Sequence, residues 1–247
     1  MITLLTDFGT TDSYVAEVKG VLLTRAPGAV LVDLTHDVAP GDVRAAQVIL
    51  GRTWRRFPEG TVHLCVVDPG VGTTRQAIAL TAGGHRFVGP DNGLFTEMLT
   101  GCDSAVLAIP AEASPTFHGR DVFAPAAAAL AAGTPLDVLG APAASFVRAS
   151  LPVPRREGNA IVGEVLLLDR FGNLITNLEG DARTAGGRVY VAGTDVGLVR
   201  RTFGDVRSGD VVAYRGSGDT VEIAVRDGSA ADRLAATRGT EVRVLSA

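Results

Sequence analysis

Two aspartates stand where apolar runs end. Asp7 follows Met1-Ile2-Thr3-Leu4-Leu5-Thr6, and Asp68 follows Val62-His63-Leu64-Cys65-Val66-Val67. In α/β sheets, ligands gather outside the carboxyl ends of the strands, so a carboxylate at such a place is a candidate for chemistry. Each also fits the plainer duty of a helix cap or an Asx turn. Gly70 and Gly72 follow Asp68, but neither GxGxxG nor GxxxxGKS/T occurs, which sets aside the phosphate-binding loops. The histidines are His36, His63, His85 and His118, with no HxH, HExxH or paired-cysteine spacing, so no dedicated transition-metal site is expected. Cys65 and Cys102 make no disulfide framework, and Cys65, inside an apolar run, reads as a buried thiol. No GxSxG elbow is present. What remains is a set of Asp, Arg and His side chains without a serine or cysteine nucleophile. Such a set suits activation of water better than covalent catalysis.

These side chains need a scaffold, and the first half of the chain alternates strand and helix signals. The patterns predict strands over 1–6, 29–34, 62–67, 76–81 and 86–88. They predict helices over about 13–25, ended by Pro27-Gly28, and over 42–54 with Asp42 as cap. The alanine-rich run after Phe123 reads as a tightly packed helix closed by Gly133. Strands separated by helices argue for an α/β layer with a substantially parallel sheet. The pattern changes near Ala149. A proline- and charge-rich connector, 149–159, leads into short β runs over 160–168, 188–191, 211–214, 221–225 and 241–245, punctuated by Gly, Asp and Ser. That is the signature of a small antiparallel β-barrel or sandwich. The expected organisation is an α/β domain over 1–148, a linker over 149–159 and a β domain over 160–247.

Composition narrows the function classes. With 247 residues, 46% hydrophobic and 20% charged, the chain suits a globular core rather than a disordered segment. A net charge of −4 and the lack of a basic tract argue against a nucleic-acid partner. No apolar stretch approaches the ~20 residues of a membrane span. The first residues form a strand-like run rather than a signal peptide. A cytoplasmic protein without membrane partners is therefore expected.

Taken in order, the motifs resemble those of the S-adenosyl-L-methionine (SAM) hydroxide adenosyltransferases, or SAM hydrolases, relatives of the SAM-dependent fluorinase and chlorinase. The resemblance is carried by Leu5-Thr6-Asp7-Phe8-Gly9-Thr10-Thr11-Asp12, by Val67-Asp68-Pro69-Gly70-Val71-Gly72 with Arg75, by Gly89-Pro90-Asp91-Asn92-Gly93-Leu94, and by Phe117-His118-Gly119-Arg120-Asp121. It continues through Asp169-Arg170-Phe171-Gly172-Asn173-Leu174-Ile175-Thr176-Asn177, Glu222-Ile223-Ala224 and Gly228-Ser229-Ala230. Each motif alone is weak; together they cover nearly the whole chain. The resemblance implies an N-terminal mixed sheet flanked by helices and a C-terminal β-barrel. It also implies a homotrimer that binds SAM between the N-terminal domain of one subunit and the C-terminal domain of its neighbour. SAM is then the substrate, adenosine and L-methionine the products, and no cofactor or metal is needed.

The family's hydrolytic triad carries over onto Asp68, Arg75 and His118. Water attacks C5′ of the ribose in line with the breaking C–S bond, and methionine leaves as a neutral thioether. An ordinary aspartate, with a pKa of about 3.9, does not deprotonate water, with a pKa of about 15.7, before attack. A cation beside it makes the step plausible, and the resemblance leaves open which triad member takes the proton. By the same carry-over, Asp7 accepts from both ribose hydroxyls, and Asp12 and Asp169 face the methionine ammonium. Phe203 stacks on adenine, and Phe171 and Asn173 line its side. Tyr214, Ser217 and Glu222 lie near the methionine. Asn92, Phe117 and Gly119 belong to site motifs. Barrel core is the plainer reading of Phe171 and Phe203.

Departures from the halogenating relatives bear on the reaction. Those enzymes typically place Tyr where Asp68 stands and lack the triad, which argues against halide use. Gly119 is also seen in chlorinase-like pockets, where it leaves room for a larger ion. Gly41 and Ile175 replace fluorinase tryptophans. The competing expectations are a SAM-dependent halogenase and a non-catalytic SAM or adenosine binder.

Overall fold

A computed structural model describes residues 1–181 and 183–245. The chain forms two compact units, Met1–Ser150 and Leu151–Ala247. In the first, strands β1 (Ile2–Thr6), β2 (Leu31–Thr35), β3 (Val62–Val66), β4 (Ala77–Ala82), β5 (His85–Pro90) and β6 (Asp103–Val106) form one sheet, in the order β2-β1-β3-β5-β4-β6. The pairs from β2 through β1 and β3 to β5 are parallel. Those of β4 with β5 and with β6 are antiparallel, so the sheet is mixed. Helices α1 (Tyr14–Arg25) and α2 (Val43–Thr53) make the crossovers that parallel neighbours require. The Asp42 carboxylate accepts from the Ala45 N–H at 3.0 Å, the expected cap. The alanine-rich run forms α3 (Ala124–Ala131), followed by the short α4 (Leu136–Leu139).

Every side chain of β1 and β3 is buried, as central strands covered on both faces require. One face packs Ile2, Leu4, Val62, Leu64 and Val88 against Leu22 of α1 and Phe123 and Ala127 beside it. Cys65 is fully buried, and burial pushes its thiol pKa up. A second cluster carries Thr3, His63, His85 and Phe87. His63 stacks on Phe87, its Nδ1 lies 2.7 Å from Thr3 Oγ1, and its Nε2 lies 3.2 Å from His85 Nδ1. Burial, then the neighbouring His85, lowers the His63 pKa to about 4. Unfolding therefore takes up a proton in the window from the ordinary histidine value, about 6.5, down to about 4. Stability is retained above that window and falls as pH drops through it. In denaturant titrations across this range, His63→Gln is expected to flatten the acid loss.

The second unit is a closed barrel. Its strands are β8 (Ala160–Leu168), β9 (Leu174–Glu179), β10 (Arg188–Val191), β11 (Thr194–Arg200), β12 (Val211–Arg215), β13 (Thr220–Val225) and β14 (Glu241–Leu245). They run in the order β14-β10-β11-β12-β13-β9-β8, and pairing of β14 with β8 closes the ring. Closure removes the exposed sheet edges on which chains aggregate. Val165, Leu174, Val189, Ile223 and Val244 fill the interior, and α5 (Ala230–Leu234) packs against β13.

Three features differ from the sequence expectation. The segment expected to be a linker contains a short strand, β7 (Arg155–Glu157), paired antiparallel with β8. β11 pairs with β12 in parallel, so the barrel is antiparallel except at that step. Strands β6, β9 and β11 were not anticipated as separate elements. In β11, Thr194-Asp195-Val196-Gly197-Leu198-Val199-Arg200 is mostly exposed and interrupted by Gly and Asp, so it carries little apolar alternation.

Candidate active site

Asp7, His36 and Asp68 follow parallel strands β1, β2 and β3, so all three stand at one edge of the sheet, that of the strand carboxyl ends. After β3 the chain turns on itself, with the Val71 N–H donating to the Asp68 carbonyl at 3.2 Å and the Thr73 N–H to the Gly70 carbonyl at 3.2 Å. This fold-back is what brings Arg75 against Asp68. Gly72 is required within it. Its φ is +75°, and a Cβ there would lie 2.7 Å from the Pro115 carbonyl oxygen. The 68–75 loop thus seats against the segment that delivers His118. Beyond His118 the chain makes a wide π turn, Gly119–Phe123, before α3. Such turns recur at functional sites.

The result is a three-residue cluster. Arg75 Nε donates to both Asp68 oxygens, at 3.0 and 3.1 Å, and its Nη2 to Asp68 Oδ2. Nη2 also lies 2.9 Å from His118 Nδ1. The pair is shielded, with side-chain exposures of 9% for Arg75 and 6% for Asp68. Guanidinium N–H groups only donate, so His118 Nδ1 must accept, and the proton of the neutral ring resides on Nε2. Burial, and then the positive charge of Arg75, lowers the His118 pKa, which keeps the ring neutral. Arg75 Nη1 is buried without a hydrogen-bond partner among the described residues. The guanidinium carbon lies 5.1 Å from the Phe123 ring centroid.

Asp7 stands close enough for its pKa to respond to Asp68. Its Oδ2 accepts from the Gly41 N–H at 2.7 Å. Burial raises the Asp7 pKa most; hydrogen bonds from the Gly41 and Asp7 backbones oppose this, and the Asp68 charge adds to the rise. Asn92 braces the same edge, donating from Nδ2 to the Val67 carbonyl at 2.8 Å. Phe117 meets Phe8 and Tyr14 edge-on, at centroid distances of 5.9 and 5.3 Å. Arg120 lies over the Phe117 ring at 4.9 Å. A cavity of about 400 Å³ opens among Phe8, Tyr14, Glu17, Thr116, Phe117 and Arg120. A Cβ on Gly119 would meet the Phe8 ring at 3.0 Å, so Phe8 packs directly against this glycine. Asp12 is exposed two residues before α1.

The barrel carries the other anticipated residues in two groups. In the first, Asp169 Oδ1 accepts from the Phe171 and Asn173 N–H groups at 2.9 Å each, and Oδ2 from Asn173 Nδ2 at 2.8 Å. A carboxylate offers about four acceptor positions, so this turn uses most of Asp169's capacity and buries Asn173. It presents Phe171, 73% exposed, to the outside. In the second, Phe203 lies 4.5 Å from the Tyr214 ring, and Tyr214 Oη donates to buried Glu222 at 3.0 Å. Phe203 is 41% exposed, so neither phenylalanine belongs to the barrel core. Ser217 lies exposed in the hairpin between β12 and β13. His36, directly after an apolar strand and so a turn or pocket residue by its place in the sequence, bonds at this sheet edge to Thr6 of the first motif.

A mixed α/β unit followed by a closed barrel, with a carboxylate–guanidinium–imidazole cluster at the sheet edge, defines a two-domain protein suited to handling water at a polar site. The comparisons specify the family. The SAM hydroxide adenosyltransferase N-terminal domain matches residues 2–140, and the C-terminal domain of the same family matches residues 163–243. The chain belongs to the SAM hydroxide adenosyltransferase family. It is 47% identical to an (R)-S-adenosyl-L-methionine hydrolase of Thermus thermophilus, over 99% of each chain. A fluorinase of Actinoplanes sp. is more distant, at 32% identity over 72% of this chain and 71% of its own. The crystal structure of a conserved protein from Thermotoga maritima superposes with a TM-score of 0.93, at 36% identity and 99% coverage of both chains.

Proposed function

We propose that this protein hydrolyses S-adenosyl-L-methionine to adenosine and L-methionine. The observation that carries the reading is the joining of Asp68, Arg75 and His118 in one shielded cluster, in a chain of this family. Water attacks ribose C5′ opposite the sulfur. A C–O bond forms as the C5′–S bond breaks, and the electron pair of that bond neutralises the sulfonium. One water proton is released. His118 is a poor acceptor for it, because its Nδ1 lone pair is engaged by Arg75 and its Nε2 already carries hydrogen. Asp68 is therefore assigned as base. Its Oδ1 accepts a single bond from Arg75, which leaves that oxygen a free acceptor position. Arg75 offsets charge that develops on the attacking oxygen, and His118 fixes the guanidinium. Holding the water in line with the leaving group is chiefly a positioning task.

Asp7 is assigned to the ribose hydroxyls, with Asn92, Phe117 and Gly119 shaping that edge. Asp12 and Asp169 are assigned to the ammonium. Asp12 is the freer of the two, because Asp169 is largely committed to its own turn. Phe171, Asn173 and Phe203 are assigned to adenine, and Tyr214, Ser217 and Glu222 to the methionine end. The exposure of Phe171 and Phe203 supports this over a core role. We further propose a homotrimer in which each substrate site draws on more than one chain. An active monomer by light scattering at assay concentration contradicts it. The unpaired thiols Cys65 and Cys102 fit a reducing, cytoplasmic setting.

The reaction is tested by incubating the protein with SAM, with and without chloride, and identifying the nucleoside. Adenosine in both cases is expected. 5′-Chloro-5′-deoxyadenosine indicates a halogenase, and unchanged SAM at stoichiometric protein indicates a binder. Full activity in the presence of chelator is also expected, because a sulfonium departs without a Lewis acid. Loss with chelator and recovery with one divalent ion overturns metal independence.

A further inference from the structure

A polar chain ends at the turn that carries Asp7. Lys19 Nζ lies 2.6 Å from Asp33 Oδ2, and the other Asp33 oxygen lies 3.1 Å from His36 Nε2, off the line of an aligned hydrogen bond. The opposite ring nitrogen, Nδ1, lies 2.8 Å from Thr6 Oγ1. Thr6 and His36 are both buried, whereas Lys19 and Asp33 are partly exposed. The Asp33 carboxylate can only accept, so the ring proton belongs on Nε2, and Nδ1 accepts from the Thr6 hydroxyl. The Thr6 oxygen in turn accepts from the Phe8 N–H at 3.3 Å. The His36 carbonyl accepts from the Gly9 N–H at 2.8 Å. His36 therefore grips the 6–9 turn twice, through its ring at one end and its backbone at the other, with Asp7 between. Past His36, the same loop reaches Gly41, whose N–H binds Asp7 Oδ2.

We propose that His36 is a positioning residue for substrate binding, which acts through Thr6 to hold the Asp7 carboxylate in the orientation that receives the ribose diol. The proposal rests on the assignment of SAM as ligand and goes beyond it by naming what aims Asp7. A carboxylate held only by the backbone N–H groups of Gly41 and of its own residue retains torsional freedom. Fixing the backbone on both sides of Asp7 lowers the entropy that ribose binding must otherwise remove.

The test uses the full-length protein and calorimetric SAM binding beside steady-state rates. His36→Gln removes the acceptor at Nδ1, and Thr6→Val removes the hydroxyl at nearly constant volume. Each is expected to weaken SAM binding about five-fold, the effect of one hydrogen bond, with kcat within two-fold of wild type. His36→Asn, which places an amide oxygen near the Nδ1 position, and Thr6→Ser are expected to restore binding. In an Asp7→Asn background, His36→Gln is expected to add almost no further loss, because its effect passes through Asp7. Fully additive losses, or a fall confined to kcat, overturn the positioning role while leaving the proposed function intact. Thr6→Val serves the same comparison if His36→Gln does not fold. Wild-type protein that neither binds nor hydrolyses SAM overturns the functional assignment, and the positioning role with it.

Discussion

Asp68→Asn is expected to lower kcat by roughly 10²–10⁴-fold, the range for losing a general base, while SAM affinity stays within a few-fold. The side chain keeps its shape but can no longer take a proton from water, and its amide turns a donor toward Arg75. A loss confined to the transition state lowers kcat and kcat/KM together. The measurement is single-turnover hydrolysis beside calorimetric binding. Equal loss in binding refutes the assignment. Asp68→Ala carries a second consequence. Asp68 and Arg75 form a shielded ion pair, and removal of one partner from a buried pair costs about 3–5 kcal/mol of stability. Asp68→Ala should therefore melt well below wild type, and Asp68→Asn closer to it.

Asp7→Asn is expected to separate function from stability. Charge-assisted hydrogen bonds contribute about 1.5–3 kcal/mol each, so a weakened grip on the ribose diol should reduce SAM affinity ten-fold or more. In the absence of ligand the same variant should melt higher than wild type near neutral pH. Burial, the largest influence, raises the Asp7 pKa, so the folded state binds this proton more tightly than the unfolded chain does. Its contribution is favourable below the unfolded value and is lost as pH rises through the folded one. The asparagine gain should thus be present at pH 7 and vanish as pH falls below the ordinary aspartate range. Paired melts of the two proteins across pH 3–8 decide it, and a variant that is less stable at every pH refutes the account.

The architecture was legible where patterning is strong. Largely apolar runs at 2–6 and 62–66 became central strands, buried along their whole length because both faces are covered, and Asp42 capped its helix as its type and place implied. Legibility failed where the chain is polar and edge-like. Strand β11 and the connector strand β7 owe their form to neighbours rather than to their own side chains. The parallel step between β11 and β12 has no local signature, because strand direction depends on the path of the chain between them.

The candidate site divides along the same line. Residue types, order and motif spacing by themselves determined the family resemblance, the chemistry of Asp, Arg and His with water, and the placement of Asp7 and Asp68 at strand ends. Tertiary structure alone decided which atoms meet. The 68–75 fold-back, possible because Gly72 has a positive φ and no Cβ, set Arg75 on Asp68 and His118. That contact places the His118 proton on Nε2, which is what the proposal of Asp68 as base draws on. The Phe8 ring, three residues into a different motif from Gly119, packs directly against this glycine. The bond between His36 and Thr6 came only from the parallel pairing of β1 with β2, which brings together side chains thirty positions apart. A sequence lists donors and acceptors, but hydrogen bonds depend on tenths of an ångström and on angle, and those are set by packing between segments remote along the chain.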